Sequence, residues 1–393
     1  MQPPSLPELL KKMTEMGASD LHLATGAHPR VRVDGRLSSL KDFPLLTAED
    51  TRRLVYGVLT ADQKQHLEDH LELDFSFGIG GLARFRGNCF NQRGAVGAVF
   101  RGIPFRVRSL DALELPAVLR TFCRKTRGLF LVTGATGSGK STTLAAMIDH
   151  INSERQAHVL TIEDPIEFLH EHRKCLVNQR EVHSDTRSFA AALRAALRQD
   201  PDVVLIGELR DLETMEAALR IAETGHLTLG TLHTRSAAST IHRVIDVFPA
   251  HQQSQIRAQL SLVLEGIACQ ALVPRAEGSG RALAMEVMVP NAAIRNLIRE
   301  DKVHQLESIM QLGRGMYGMQ TFNQSLADLF LAGRIERDTA LEYSIDPDEL
   351  RRMLNRRRAA AIGSDRTAGT LVDRQTRAAR PTARRSRPDP HGS

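Results

Sequence analysis

The stretch of residues 128–147, GLFLVTGATGSGKSTTLAAM, decides the fold of this 393-residue chain. It begins with an apolar run of strand length, continues with a glycine-rich segment that matches GxxxxGK[ST], and ends with a helical pattern. In this context, backbone N–H groups of the loop and the start of the helix can bind phosphate. The stretch therefore predicts an α/β domain that binds a nucleotide.

The residues expected to contact the nucleotide form one continuous segment. Lys140 is predicted to reach the β- and γ-phosphates, and the Ser141 hydroxyl to ligate Mg²⁺. ATP and Mg²⁺ are therefore the predicted cofactors. The alternative, a glycine-rich turn that binds nothing, is disfavoured by the flanking strand and helix. The predicted segment consists of Gly134, Ala135, Thr136, Gly137, Ser138, Gly139, Lys140, Ser141 and Thr142.

The chain divides into three regions around this segment. Residues 106–349 alternate strand-length apolar runs with amphipathic helical stretches, which predicts an α/β domain with a parallel sheet buried on both faces. Within it, the part after Pro274 is expected to be mostly helical. Residues 1–105 open with a helical pattern and continue as alternating runs broken by glycine, which predicts a smaller α+β domain. Residues 350–393 are rich in Arg and are predicted to be disordered, with the alternative that RRMLNRRR, residues 351–358, begins as a helix continuing from the preceding domain.

The positive net charge of the chain, +6, arises from the excess of arginine in residues 350–393. Residues 350–393 contain 12 Arg and 3 Asp, whereas residues 1–349 contain 40 basic and 43 acidic residues. A motor that moves along nucleic acid is expected to have a basic surface on its folded part. The sequence therefore predicts no nucleic-acid partner, and DNA-stimulated hydrolysis would revive that alternative.

The sequence also predicts a cytoplasmic protein. It has no apolar run of the ~18–20 residues that span a bilayer, and its start, MQPPSLPELLKKM, lacks the apolar core of a signal peptide. The four cysteines form no CxxC pair, which argues against a zinc ribbon and gives no support for disulfides. Buried thiols are the simpler interpretation of Cys89, Cys123, Cys175 and Cys269.

Acidic side chains follow two of the predicted strands. Glu163 and Asp164 end the run HVLTIED, and Glu208 ends the run DVVLIGE. Because the carboxyl ends of parallel strands meet at one edge of a sheet, these acids are expected beside the phosphate loop. Glu163 is predicted to orient or deprotonate the attacking water, and Glu208 to hold Mg²⁺ through water. A strand-end acid that only caps the next element is the alternative for Glu163 and Asp164.

Two histidines bracket the predicted strand HLTLGTLH. His226 and His233 are seven residues apart and point to opposite faces of an unbroken strand, so they are not expected to share a metal. His233 lies at the carboxyl end of the strand and is the candidate sensor of the γ-phosphate. A polar group with no role beyond its own hydrogen bonds is an equally good interpretation of the residues alone.

Several segments together resemble the type II/IV secretion ATPase superfamily. They are GATGSGKSTTLAAM, TIEDPIEF, NQREVHSDT, ALRQDPDVVLIGE, ETGHLTLGTLHT and AIRNLIRE, in this order along the chain. The similarity covers residues 5–345. AIRNLIRE, at residues 293–300, is similar to a signature of the branch that retracts type IV pili in twitching motility. Near the start, GASDLHL and RVDG resemble the PAS-like domain of the same family.

This resemblance implies an architecture, an activity and a set of partners. The fold would be a RecA-like P-loop ATPase domain with a smaller PAS-like domain before it, and six copies would form a ring. The ring would hydrolyse ATP to retract pili, as a peripheral protein at the cytoplasmic face of the inner membrane. Its partners would be the inner-membrane pilus platform protein and a second retraction ATPase.

The resemblance also assigns roles to individual residues. It places Glu163 in the family's Asp box, Glu208 in its Walker B motif, and His233 with His226 in its His box. It further implies that arginines of the N-terminal domain approach the γ-phosphate, with ATP between this domain of one subunit and the C-terminal domain of its neighbour. The matching residues are Arg86 and Arg101. Solvated strand arginines are the alternative.

Three other functions remain open. An accessory retraction ATPase and a type II secretion motor keep the chemistry, and AIRNLIRE argues against both. A nucleotide-binding scaffold with little turnover is a different class, and Lys140, Glu163 and Glu208 argue against it. On family grounds, changing the apolar face of AIRNLIRE at Ile294 and Leu297 is predicted to uncouple hydrolysis from retraction.

Overall fold

A computed structural model describes residues 4–33, 35–80, 82–103 and 107–356. Two β-sheets organise these residues, one with six strands and one with seven. None of the described helices has the length and apolar character that crossing a bilayer requires. The predicted disorder of residues 357–393 lies outside the described residues.

The first sheet is antiparallel. Its strands are β1 (Asp20–Leu23), β2 (Arg30–Val33), β3 (Arg36–Ser39), β4 (Glu72–Ile79), β5 (Ala83–Gln92) and β6 (Ala95–Ile103). They pair in the order β3-β2-β1-β6-β5-β4. Three helices pack against these strands, α1 (Leu6–Glu15), α2 (Ala48–Tyr56) and α3 (Ala61–His70). The apolar side chains that the helical pattern of α1 predicted are all buried, namely Leu6, Leu9, Leu10 and Met13.

The second sheet is mostly parallel. Its strands are β7 (Gly128–Thr133), β8 (His158–Glu163), β9 (Leu176–Glu181), β10 (Val203–Ile206), β11 (Leu227–Leu232), β12 (Leu264–Pro274) and β13 (Arg281–Met288). Their order is β13-β12-β7-β11-β10-β8-β9, and β13 alone among these strands runs antiparallel to its neighbour. The four apolar runs of the sequence form β7, β8, β10 and β11, so the predicted parallel sheet is confirmed.

Helices cover both faces of the second sheet. Alternate residues of β7 show this, because Leu129 and Leu131 belong to one hydrophobic cluster, and Phe130 and Val132 to another. The helices are α4 (Leu119–Cys123), α5 (Lys140–Glu154), α6 (Phe189–Ala196), α7 (Leu212–Glu223), α8 (Ala237–Asp246), α9 (Ala250–Val263), α10 (Ala292–Arg299), α11 (Leu306–Leu312), α12 (Arg314–Tyr317), α13 (Phe322–Leu331) and α14 (Arg337–Tyr343). A short 3₁₀ helix spans Val303–Gln305.

The structure differs from two sequence-based predictions for the later part of the chain. The expectation of mostly helical structure after Pro274 missed β13, which pairs with β12 and is buried along nearly its whole length. The boundary at residue 349 falls inside a helix over residues 347–356. Leu350 and Leu354 of this helix are buried in the core beside α13 and α14, and this apolar contact favours the helical alternative for RRMLNRRR over disorder up to residue 356.

The AIRNLIRE stretch forms α10 and packs into the core. Ile294 and Leu297 are 0% and 8% exposed, so truncating them would create cavities in the core. On the polar face, the Arg295 guanidinium donates hydrogen bonds to the carbonyl oxygens of Ser261 (2.7 Å) and Leu262 (3.0 Å) at the end of α9. Changes to the apolar face are therefore expected to lower stability as well as any coupling to a partner.

Candidate nucleotide site

The carboxyl ends of the parallel strands border a cavity of about 750 Å³. β7 leads into it through the loop of residues 134–139, and β8, β10 and β11 end beside it. Strands of the first sheet form the opposite side. Among the predicted residues, those that line the cavity are Arg86, Arg101, Thr136, Gly137, Gly139, Lys140, Ser141, Thr142, Glu163, Glu208 and His233.

The glycines of the loop are required by its backbone. Gly134, Gly137 and Gly139 have φ angles of +142°, +78° and +89°, a region that side chains disfavour. A Cβ atom at Gly134 would also lie 2.3 Å from the carbonyl oxygen of Gln270. Gly134, Ala135 and Ser138 do not line the cavity, so their part in the predicted segment is to shape the loop.

Lys140 begins α5 and turns back over the loop. Its ammonium donates hydrogen bonds to the carbonyl oxygens of Gly134 (2.9 Å) and Ala135 (3.1 Å). Burial lowers the pKa of Lys140, and the nearby carboxylates of Glu208 and Glu167 partly offset this effect. Two neutral carbonyl oxygens thus hold the ammonium over the loop. A bound phosphate group could take their place and accept charge-assisted hydrogen bonds from the ammonium.

Glu208 follows β10 and lies between the side chains of Arg210 and His233. Its carboxylate accepts from Arg210 at 2.8 Å and lies 3.1 Å from Nε2 of His233, which follows β11. Burial alone would raise the pKa of Glu208, but Arg210 and His233 lower it below its usual value. The carboxylate is therefore ionised at neutral pH, as a ligand for a hydrated cation must be.

Glu163, at the end of β8, has a different environment. Its carboxylate accepts from the Thr161 hydroxyl at 2.7 Å and from the Gln179 side-chain amide at 3.3 Å. Burial raises the pKa of Glu163 to about 7, and the hydrogen bonds from Thr161 and Gln179 act in the opposite direction. A carboxylate with a pKa near the working pH is suited to proton transfer. Asp164, the next residue, is exposed and does line the cavity.

Arg86 and Arg101 reach the cavity from the first sheet. They are direct cross-strand partners on β5 and β6, so their like charges lie side by side. Each has an acidic neighbour: Arg86 lies 3.6 Å from Asp74, and Arg101 lies 2.8 Å from Asp20. Both arginines belong to the same chain as the phosphate loop that they face. Within one chain, the two arginines and the phosphate loop thus lie on opposite sides of the same cavity.

Gln270 of β12 is a residue that the sequence interpretation missed. Its side chain is 3% exposed; its amide donates to the carbonyl oxygen of Ser138 (2.7 Å) and its oxygen accepts from Thr143 (2.9 Å). It thereby joins the loop to the first turn of α5 from behind. The available signal was one polar residue within the apolar run GIACQALV. Arg210, beside Glu208, was missed as well.

His226 lies at the opposite end of β11 from His233. Its Nδ1 atom is 3.1 Å from the carbonyl oxygen of Ile221 and 3.1 Å from the hydroxyl of Thr224, and it does not line the cavity. The two histidines of the implied His box are therefore separated by the length of the strand. The structure brings His233 to the site and leaves His226 outside it.

The oxygen atoms at the cavity suit a magnesium ion. Mg²⁺ prefers hard oxygen ligands and keeps several waters beside one or two carboxylates and the phosphates of a substrate. Ser141 at the start of α5 offers a hydroxyl and Glu208 an ionised carboxylate, and both line the cavity. In the described parts of the chain, no cluster of three or more His, Cys, Asp or Glu could hold a metal without a substrate.

Comparisons with known proteins agree with this geometry. Residues 107–327 match the family described as type II/IV secretion system protein. The chain is 51% identical to the type IV pilus retraction ATPase PilT of Pseudomonas aeruginosa over 87% of this chain and 98% of that protein. It is 42% identical to the type IV pilus ATPase PilU of the same organism over 93% of each. A crystal structure of the pilus retraction motor PilT with bound ADP has a TM-score of 0.84 and 53% identity, covering 89% of this chain and 99% of that one. The chain therefore belongs to the type II/IV secretion system protein family.

Proposed function

We propose that this chain is an ATPase that hydrolyses ATP to power the retraction of type IV pili. The observation that carries the proposal is a single cavity that joins a phosphate loop, two strand-end carboxylates and two arginines. The similarity to the retraction ATPase PilT over nearly the full length of that protein supports the same activity. The match to a PilT structure with bound ADP supports a nucleotide in the corresponding place.

The residues of the cavity suggest how hydrolysis proceeds. The loop amides and Lys140 bind the β- and γ-phosphates, and Ser141 and Glu208 would hold Mg²⁺, Glu208 through water. When bound, Mg²⁺ neutralises charge on the phosphate oxygens. Glu163 accepts a hydrogen bond or a proton from the attacking water, because its raised pKa makes it a better base than an ordinary carboxylate. The water attacks the γ-phosphorus, the bond to the β-phosphate oxygen breaks, and ADP and phosphate result.

His233 and the arginines respond to the γ-phosphate in this proposal. His233 is hydrogen-bonded to Glu208 at 3.1 Å and can exchange this contact for a phosphate oxygen. Arg86 and Arg101 stabilise the charge of the transition state from the other side of the cavity, a role that is worth ~10³–10⁵ in rate where an arginine finger acts. Because these arginines belong to a separate sheet, the movement that closes the two sheets around ATP is coupled to hydrolysis.

The assembly and location are proposed on family grounds. The second sheet is a RecA-like ATPase domain, the first belongs to a PAS-like domain, and six copies form a ring. The ring works at the cytoplasmic face of the inner membrane against the pilus platform protein, as a peripheral protein. In this proposal the hydrolysis cycle rocks the two domains of each subunit and thereby turns the ring.

Phosphate release tests the enzymatic part of the proposal. Wild-type protein should release phosphate from MgATP, and Glu208→Gln should lower the rate by about 100-fold because it removes the carboxylate beside Mg²⁺. Glu213→Gln is the matched control, since Glu213 is an exposed glutamate of α7 outside the cavity. A wild-type protein without turnover would favour the scaffold alternative.

Complementation tests the biological part. In a strain whose retraction ATPase has been deleted, the wild-type gene should restore twitching and the Glu208→Gln gene should not. The similarity to PilU favours a second candidate, an accessory retraction ATPase. That candidate predicts rescue of a strain lacking the accessory ATPase and no rescue of the strain lacking the main one.

A further inference from the structure

A carboxylate of the second sheet is hydrogen-bonded to two strands of the first sheet. In the part of the chain that the structure describes, the hydrogen bonds between residues 4–103 and residues 107–356 converge on Glu181 at the end of β9. Its carboxylate accepts from the Ser76 hydroxyl of β4 and from the Arg84 guanidinium of β5, the latter at 3.3 Å. Arg84 also donates to the Ser76 hydroxyl at 3.0 Å, which closes a triangle of three polar groups.

Glu181 is buried and firmly placed on its own side. Its side chain is 4% exposed, and the carboxylate also accepts from the backbone N–H of Ile166 (3.0 Å) and the hydroxyl of Ser184 (3.2 Å). A buried charge costs desolvation free energy, and this cost is offset only where the partners are well placed. Removing Arg84 would leave the carboxylate without its cationic partner, so this contact favours one arrangement of the two sheets.

The triangle lies next to the arginines of the cavity. Arg84 and Arg86 are two residues apart on β5, so both side chains emerge from the same face of the sheet. Arg86 has two cross-strand partners. Ser76 of β4 lies on one side of Arg86, and Arg101 of β6 lies on the other side. Fixing Ser76 and Arg84 therefore fixes β5, which carries Arg86 and pairs with β6, the strand of Arg101.

The triangle also lies next to the proposed base. Glu181 and Glu163 are register partners on β9 and β8, and the backbone N–H of Val182 donates to the carbonyl oxygen of Glu163 at 2.9 Å. A movement of the first sheet that displaces Glu181 therefore also displaces the end of β8, which carries Glu163. Neither Glu181 nor Arg84 lines the cavity, so neither is placed in the proposed nucleotide site.

We propose that Glu181 is a positioning residue that, through Arg84 and Ser76, holds the first sheet where Arg86 and Arg101 face the phosphate loop. This inference rests on the proposed ATPase function. The role of Glu181 differs from a purely structural one. Loss of its contact with the first sheet affects the position of Arg86 and Arg101 and leaves the phosphate loop intact. Loss of the contact should therefore slow hydrolysis and leave binding of ADP almost unchanged.

The test compares Glu181→Gln and Arg84→Gln with wild type and with Arg52→Gln. Arg52 pairs with Glu68 at 3.5 Å on the exposed helices of the first region and is a matched control. We expect kcat for phosphate release to fall about tenfold in both variants, which corresponds to ~1.4 kcal/mol, and the Kd for a fluorescent ADP to change less than twofold. The double variant should be no slower than the slower single variant, because both changes break one contact. Arg84→Lys should restore part of kcat.

A distance measurement makes the test independent of activity. Spin labels at Leu37→Cys and Leu312→Cys, which are 42% and 87% exposed, report the separation of the two sheets, and the four native cysteines are buried. Glu181→Gln and Arg84→Gln should broaden the distance distribution, and Arg52→Gln should not. An unchanged distribution, or an unchanged kcat in an active protein, overturns the inference. If wild type lacks turnover, the proposed function fails and the distances alone decide whether Glu181 joins the sheets.

Discussion

The loop wall of the cavity, residues 134–142, comes from one continuous segment, whereas the arginine wall, Arg86 and Arg101, comes from a different sheet. The loop wall has its shape without a ligand, since its glycines adopt the positive φ angles it needs and Gln270 donates a hydrogen bond to it from behind. The arginine wall is exposed and already paired with Asp74 and Asp20. The loop wall is therefore prepared for a phosphate in advance, and the arginine wall must exchange partners to reach one.

This difference separates binding from turnover. A preformed set of N–H donors gains affinity because little ordering is needed when the ligand arrives. Groups that reach the substrate only in the transition state raise the rate without tightening the ground state. We therefore expect changes in the loop wall to appear mainly in the Kd of ADP, and changes in the arginine wall to appear mainly in kcat.

The largest expected effect on the loop wall is that of Lys140→Ala. It removes the ammonium that lies over the loop carbonyls, and with it a charge-assisted contact to phosphate. The Kd of ADP, measured by titration calorimetry, should rise about 100-fold. Lys11→Ala is the control, since Lys11 lies on an exposed face of α1. An affinity within threefold of wild type would break the distinction between the two walls.

A smaller effect is expected from Gln270→Leu. The substitution leaves the carbonyl of Ser138 and the hydroxyl of Thr143 without their partner and relaxes the loop from behind. The Kd of ADP should rise about tenfold, while kcat at saturating ATP should change less than threefold. Gln65→Leu, at an exposed residue of α3 that bonds Asp69, is the matched control. A variant with normal affinity and a low kcat would assign Gln270 to the other wall.

The pH dependence of kcat sharpens the role of Glu163. Because burial raises the pKa of Glu163 to about 7, the ionised fraction increases with pH through that value. At pH 6 about a tenth of the carboxyl groups are ionised, so kcat should be about tenfold below its plateau above pH 8. Burial also raises the pKa of Glu286 to about 7, but this residue does not line the cavity. Glu286→Gln should therefore keep the profile, and a flat wild-type profile would exclude Glu163 as the base.

The sequence predicted the parts of the site that depend on local pattern. The loop, the parallel strands around it and the acids at their ends are each encoded in a short continuous segment of sequence. Glu163, Glu208 and His233 could therefore be expected at the carboxyl edge of the parallel sheet. Gln270 and Glu181 depend on contacts between residues 132 and 97 positions apart, which no local pattern encodes. The extent of the helix at residues 350–356 depends on a similar contact, because Leu350 and Leu354 pack into the core beside α13 and α14.

The most direct test of the account is a comparison of ADP affinity and phosphate release in the double variant Arg86→Gln, Arg101→Gln. Both arginines line the cavity but belong to the first sheet, so the loop wall should remain intact. We expect the Kd of ADP to stay within threefold of wild type, and kcat to fall by about 10³-fold. A kcat within threefold of wild type, or a loss of affinity as large as that of Lys140→Ala, would contradict the division of the cavity into a binding wall and a turnover wall.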